Sequence, residues 1–245
     1  MSTFKKIALV TGASRGIGAS IAERLANDGF AIVVNYAGSE SASKQVAAQI
    51  TEAGGQAIPY QADVSDAKAV HAMFNHIEST WGKVDVLVNN AGIMKLQPLS
   101  KADTQHVDKQ IDINLKGTIN TLREASSRLN NGGRVINFST SVVGLKLENY
   151  GVYAATKAAV ETLTAIMAKE MRGKEITVNA VAPGPTATEL FLKGKPNELI
   201  ESMAQMNPLE RLGTPDDIAS VVSYLASRDS GWINGQVLRA NGGII

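Results

Sequence analysis

The chain has 245 residues, enough for one large α/β domain or two small ones. Its 44% apolar and 19% charged composition supplies a sizeable core and excludes global disorder. A formal net charge of +1 without basic blocks argues against nucleic acid as a partner, and the lack of cysteine removes disulfides, thiolate catalysis and cysteine metal sites. Lys5-Lys6 precedes too short an apolar stretch for a signal peptide, and no run approaches the roughly 20 apolar residues of a spanning helix. The expectation is a soluble cytoplasmic protein that meets neither membrane nor nucleic acid.

Ile7–Val10 reads as a strand and Ile17–Asn27 as a helix, with Thr11-Gly12-Ala13-Ser14-Arg15-Gly16-Ile17-Gly18 spanning the junction. Glycines there let backbone approach a pyrophosphate, while the helix start offers free N–H groups and a partial positive charge. The spacing is G-x-x-x-G-x-G rather than G-x-G-x-x-G, and such turns also occur for structural reasons alone. Strands follow at Ala31–Asn35, Ala57–Gln61, Val84–Asn89, Arg134–Phe138, Ile176–Val181 and Gln236–Arg239. Helical periodicity covers Ser41–Ala53, Ala67–Trp81, Thr104–Leu129, Tyr153–Met171 and Pro215–Ala226. This alternation predicts βαβ crossovers and a parallel sheet covered on both faces. No linker or repeat divides the chain. Pro183–Pro215 alone breaks the rhythm: it is either a substrate lid, over about 185–214, or a surface excursion with its own small helices.

Tyr153 and Lys157 lie four residues apart in YAATK, so a helix puts them one turn apart on one face. Hydride transfer to a carbonyl builds negative charge on oxygen, which calls for a proton donor beside it. A phenol with a pKa near 10 suits that task once a nearby cation stabilises its phenolate. Tyr150 lacks the partner, since position 154 is Ala. Glycine turn and Tyr–Lys pair together point to a nicotinamide-dependent oxidoreductase; the plain alternative for the pair is an exposed helical contact.

TGASRGIG, Asp63-Val64, Asn89-Asn90-Ala91-Gly92, Asn114, YAATK and Pro183-Gly184 occur in this order along the chain. In that pattern the sequence resembles the short-chain dehydrogenases/reductases, in the branch of the 3-oxoacyl-(acyl-carrier-protein) reductases and glucose dehydrogenases. The resemblance implies a single Rossmann domain over residues 1–245, α/β, with a doubly wound seven-stranded parallel sheet. It implies Tyr153 as acid/base, Lys157 as the group that binds the nicotinamide ribose and lowers the tyrosine pKa, and Asn114 as a helix-kinking residue holding a relay water. It implies a substrate-binding hydroxyl after the fifth strand, where Ser139-Thr140-Ser141 leaves Thr140 and Ser141 both open. Cofactor contacts would come from Gly12, Ser14, Arg15, Gly16, Ile17 and Gly18, from Asp63 and Val64 at the adenine, and from Asn90, Ala91 and Gly92. Pro183, Gly184, Thr186 and Thr188 would serve the nicotinamide end and pyrophosphate. Homotetramers would form through the helices around 104–129 and 153–171, with the tail Asn241–Ile245 near another interface.

An acidic residue closing the second strand would hold the ribose 2′-hydroxyl of NAD and repel a 2′-phosphate. Here Asn35-Tyr36-Ala37-Gly38-Ser39 carries no carboxylate before Glu40, while Arg15 can grip a phosphate bidentately. Asn35, Tyr36 and Ser39 would complete that end, with neutral hydrogen bonds from Asn35 and Ser39. NADP(H) is therefore favoured; NAD(H) remains open if Glu40 swings in. His71, His76 and His106 share no ligand spacing, so no metal is expected, and no nucleophile elbow supports hydrolysis. The expected function is hydride transfer between NADP(H) and a carbonyl or alcohol, as a ketone reductase that could take a 3-oxoacyl thioester. The alternatives are a sugar or polyol dehydrogenase, or a non-catalytic dinucleotide sensor. Leu190, Phe191, Leu192 and Met203 suit a substrate with apolar surface, and packing explains them equally well.

Overall fold

The strands are almost unbroken apolar runs, and they build a sheet buried on both faces. The computed structural model describes residues 6–245; Lys5, half of the N-terminal basic pair, lies outside them. In chain order the main elements are β1 (Ile7–Val10), α1 (Gly16–Asn27), β2 (Ala31–Tyr36), α2 (Glu40–Glu52), β3 (Gln56–Gln61), α3 (Ala67–Thr80) and β4 (Val86–Asn89). They continue through α4 (Thr104–Gln110), α5 (Gly117–Arg128), β5 (Arg134–Phe138), α6 (Val142–Leu145), α7 (Gly151–Glu170) and β6 (Thr177–Pro183). The last are α8 (Glu189–Leu192), α9 (Asn197–Gln205), α10 (Pro215–Ala226) and β7 (Val237–Ala240).

The seven strands are parallel in the order β3-β2-β1-β4-β5-β6-β7, with Leu9 in register with Val33 on one side and Leu87 on the other. Side chains alternate between two cores. Ala8, Val10, Ile32 and Val34 meet Ile21 and Leu25 of α1 and Ile218 and Leu225 of α10. Ile7, Leu9, Val33 and Leu87 meet Phe74 and Ile77 of α3, Leu122 of α5 and Met167 of α7. Full burial of each such side chain contributes about 1.5–3 kcal/mol, and that removal of apolar area from water fixes the three layers. The strand order reverses between β1 and β4, which opens a crevice at their carboxyl ends, the place where this architecture binds ligands.

The stretch expected as one helix over Thr104–Leu129 is interrupted. Residues Ile111–Lys116 form a π-helical turn between α4 and α5. Asn114, fully buried in that turn, donates from Nδ2 to the Ile93 carbonyl at 2.9 Å and accepts the Ile93 N–H at 2.8 Å. A contact 21 residues away in sequence sets the kink, so helical periodicity could not report it. The excursion after β6 carries α8 and α9, and a single bridge pairs Thr186 with Gly213 across its base.

Candidate active site

The glycine turn is shaped by contact with the loop after β4. Gly12 has φ +62°, and a Cβ there would stand 2.8 Å from Ala91 Cα; a Cβ on Gly18 would stand 2.5 Å from Asn90 Nδ2. Asn90 Nδ2 donates to the Thr11 and Gly12 carbonyls at 2.9 and 3.1 Å, and the Ala91 N–H donates to Thr11 Oγ1 at 3.0 Å. Asn90 and Ala91 thus clamp the turn as well as lining the cleft beside it. Arg15 at the N-cap of α1 makes no side-chain capping bond to that helix start. Its first-turn N–H groups stay available to an anion. These features fit a dinucleotide pyrophosphate.

A cleft of about 1620 Å³ runs along this edge, lined by Gly12, Ser14, Arg15, Gly16, Ile17 and Gly18. Asn35, Ser39, Asp63, Val64, Asn90, Ala91, Gly92 and Thr188 complete the expected set on its walls. Two expectations at the end of β2 need correction. Tyr36 does not line the cleft: alternation along the strand turns it away, and Ala37 and Gly38 stand there instead. Asn35 is buried, and its amide is already engaged. Its Oδ1 accepts the Gly12 N–H at 3.3 Å, and its Nδ2 donates to the Tyr60 and Ala62 carbonyls at 3.3 and 3.0 Å. It braces three strand ends and has no hydrogen bond to spare for a phosphate. Asp63 accepts from the Ser65 N–H and hydroxyl at 2.9 and 2.7 Å, which orients the carboxylate at the cleft wall.

A second chamber of about 950 Å³ joins the first along Ile17, Asn90, Gly92, Met94 and Thr188. Tyr153, Lys157, Thr140, Ser141, Pro183, Gly184 and Thr186 line it, so the two α7 side chains reach the same space as the β5 hydroxyls. Asn114 lines neither chamber; its amide is spent on Ile93 and on Thr156, whose Oγ1 accepts at 3.3 Å. The two candidate hydroxyls are differently employed. Ser141 Oγ donates to the Ala182 carbonyl at 3.2 Å and accepts from Asn241 Nδ2 at 3.0 Å, which joins β5, β6 and the tail. Thr140 Oγ1 accepts the Val142 N–H at 3.3 Å and stands close enough to the Tyr153 phenol to act on its ionisation.

The charges differ from expectation. Burial pushes the Tyr153 phenol up to about 12; the nearby Thr140 hydroxyl pulls the other way and loses. Burial pushes the Lys157 ammonium down to about 8, and its Nζ donates to the Phe138 carbonyl at 2.8 Å. Desolvation of the phenolate dominates in the chain by itself, where Lys157 is not among the groups that shift the phenol. A neutral phenol is nonetheless the form that gives a proton to a developing alkoxide, which is the stronger base.

Beyond these polar groups the second chamber is lined by Met94, Leu145, Leu147, Leu190, Phe191, Met203, Met206 and Ile244. Among the described residues Lys157 is the one charged side chain lining it. Leu190, Phe191 and Met203 were legible as apolar positions, whereas Leu192 does not line the chamber. Met94, Met206 and Ile244 carried no sequence signal, since each arrives on a loop or tail. Glu189 and Lys193 at the mouth of the cleft also escaped sequence reasoning, although Glu189 directly follows Thr188, whose side chain caps α8.

This crevice serves hydride exchange at a CH–OH/C=O centre beside a dinucleotide, the work of one class of oxidoreductase. A family model described as enoyl-(acyl carrier protein) reductase matches residues 12–245. A short-chain type dehydrogenase/reductase of Picea abies is 41% identical over 248 residues, covering 97% of this chain and 92% of the relative. NADPH-dependent aldehyde reductase 2, chloroplastic, of Arabidopsis thaliana is 43% identical over 255 residues, covering 98% and 94%. The crystal structure of a short-chain dehydrogenase from Burkholderia cenocepacia in complex with NADP superimposes with a TM-score of 0.92 at 33% identity, covering 98% and 97%. The chain belongs to the short-chain dehydrogenase/reductase family and is an oxidoreductase.

Proposed function

We propose that this protein is an NADP(H)-dependent reductase of uncharged aldehydes or ketones with a largely apolar body. The observation that carries the reading is the junction of the two chambers. A phosphate-ready cleft meets an apolar pocket where Tyr153, Lys157 and Thr140 face the shared space. NADP(H) supplies the hydride when bound; the glycine turn would hold its pyrophosphate and Arg15 with Ser39 its 2′-phosphate. The solved NADP complex and the NADPH-dependent relative support that choice of cofactor.

In this reading Tyr153 and Thr140 bind the carbonyl oxygen. The carbonyl carbon receives the hydride, and the Tyr153 hydroxyl gives its proton to the oxygen as the alcohol forms. Lys157 then returns a proton to the phenolate. A Cβ on Gly92 would stand 3.2 Å from Asn114 Oδ1 and 3.5 Å from Lys157 Nζ, so both side chains pack closely against that glycine. Ser141 is a positioning residue that holds the strand ends. The excursion over residues 185–214 is the substrate lid. The apolar side chains Met94, Leu145, Leu147, Phe191 and Met206 on the second chamber favour an apolar substrate body over a sugar or polyol.

The reading extends to the assembly and its location. Half-exposed Ile166 on α7 suits the homotetramer interface, and the cysteine-free composition suits a cytoplasmic setting. No helix among the described residues is long and apolar enough to cross a membrane. The test is NADPH oxidation with a panel of aromatic aldehydes, apolar ketones, a 3-oxoacyl thioester and aldoses. Turnover is expected with the apolar carbonyls, and Tyr153→Phe is expected to lower kcat by at least the 10²–10⁴-fold worth of a positioned proton donor while leaving NADPH binding intact. Turnover retained in Tyr153→Phe, or confined to aldoses, would overturn the proposal.

A further inference from the structure

Arg15 is held from two sides at the mouth of the cofactor cleft. Its Nη2 donates to Ser39 Oγ at 2.5 Å and its Nη1 to Glu189 Oε2 at 3.1 Å. The three residues come from the glycine turn, the start of α2 and the first turn of α8, so one guanidinium ties the excursion to the fixed half of the cleft. The Arg15 and Glu189 side chains are 58% and 63% exposed. An ion pair so exposed is worth little and is readily exchanged. Lys193, four residues beyond Glu189, also lines the cleft, and its N–H donates to the Glu189 carbonyl at 3.0 Å. Among the described residues Lys193, just past the end of α8, makes no ion pair with a carboxylate.

Glu189 therefore engages the cation that an incoming phosphate monoester would claim, with Lys193 on the same cleft. A phosphate dianion competes for the Arg15 fork with more charge than a carboxylate, whereas a ribose hydroxyl has none. We infer that Glu189 is a cofactor-selecting residue: it occupies Arg15 until a ribose 2′-phosphate displaces it, then turns to Lys193. Recognition of the phosphate and release of the excursion from the glycine turn become one event. This rests on the NADP(H) reading. With NAD(H) the tie between Arg15 and Glu189 persists.

Calorimetric titration of the whole chain with NADPH and NADH tests the inference, using Glu189→Gln, Lys193→Gln and the double variant. Glu189→Gln removes the competitor and is expected to tighten NADPH by about two- to fivefold, the worth of an exposed ion pair, with NADH unchanged. Lys193→Gln is expected to weaken NADPH by a similar factor, and to have no effect once Glu189 is already Gln. Equal tightening of both cofactors, or none, would sink the selecting role. A Lys193→Gln loss that survives in the double variant would show the lysine acting on the phosphate directly and would overturn the hand-over. Should the native protein prefer NADH, the NADP(H) reading itself fails; a native NADPH preference with a silent Glu189→Gln removes this inference alone.

Discussion

At the scale of single residues the site is governed by desolvation. Tyr153 raised to about 12 and Lys157 lowered to about 8 both sit in their uncharged-favouring direction, as burial dictates for an acid and a base. The sign of the pH dependence follows. Reduction needs the phenol protonated, which holds from neutral pH through about 12, and a proton on Lys157 for resupply, which is lost above about 8. Reduction is expected to hold steady to about pH 8 and decline beyond it. Alcohol oxidation needs the phenolate and should climb across the same range. Rate profiles in the two directions check this, and an oxidation optimum at or below neutrality would contradict it. The residue types were readable from YAATK, but the direction of the phenol shift was not, because burial depends on what packs around α7.

At the scale of elements, the β1–α1 junction owes its form to a second loop. Asn90 bonds two carbonyls of the turn, so truncation leaves two acceptors unpaired in a tight space. Asn90→Ala is expected to cost about 1–3 kcal/mol in denaturant unfolding and to weaken cofactor binding together with stability. Unchanged stability would show that the glycines hold the turn unaided. The glycine spacing was legible because φ +62° favours glycine at Gly12 and the close approach of Asn90 and Ala91 leaves no room for a Cβ at Gly12 or Gly18. The kink in the long helix was legible through the resemblance, which implied it at Asn114, and not through periodicity, since the bonds to Ile93 that accompany it are non-local. Asn35 shows the same limit: its place in the strand was right, yet its amide turned out to brace β1 and β3.

At the scale of the whole molecule, the proposed tetramer makes a further demand. Ile166 on α7 is 48% exposed, an apolar side chain left open on a helix expected at an interface. Light scattering is expected to report a four-chain particle, and Ile166→Asp a smaller one; a monomer in both would remove the tetramer.

The alternation of apolar runs with 3.6-period segments determined the layered parallel sheet, because burial on both faces admits little else. The ordered glycines and the Tyr–Lys spacing determined which edge of that sheet would carry chemistry. Folding in three dimensions alone decided which of two adjacent hydroxyls meets the phenol, which asparagines are spent on structure, and which carboxylate guards Arg15. Each of those outcomes depends on partners tens to hundreds of positions apart, as with Arg15 and Glu189 at a separation of 174 residues. Local periodicity is blind at that range.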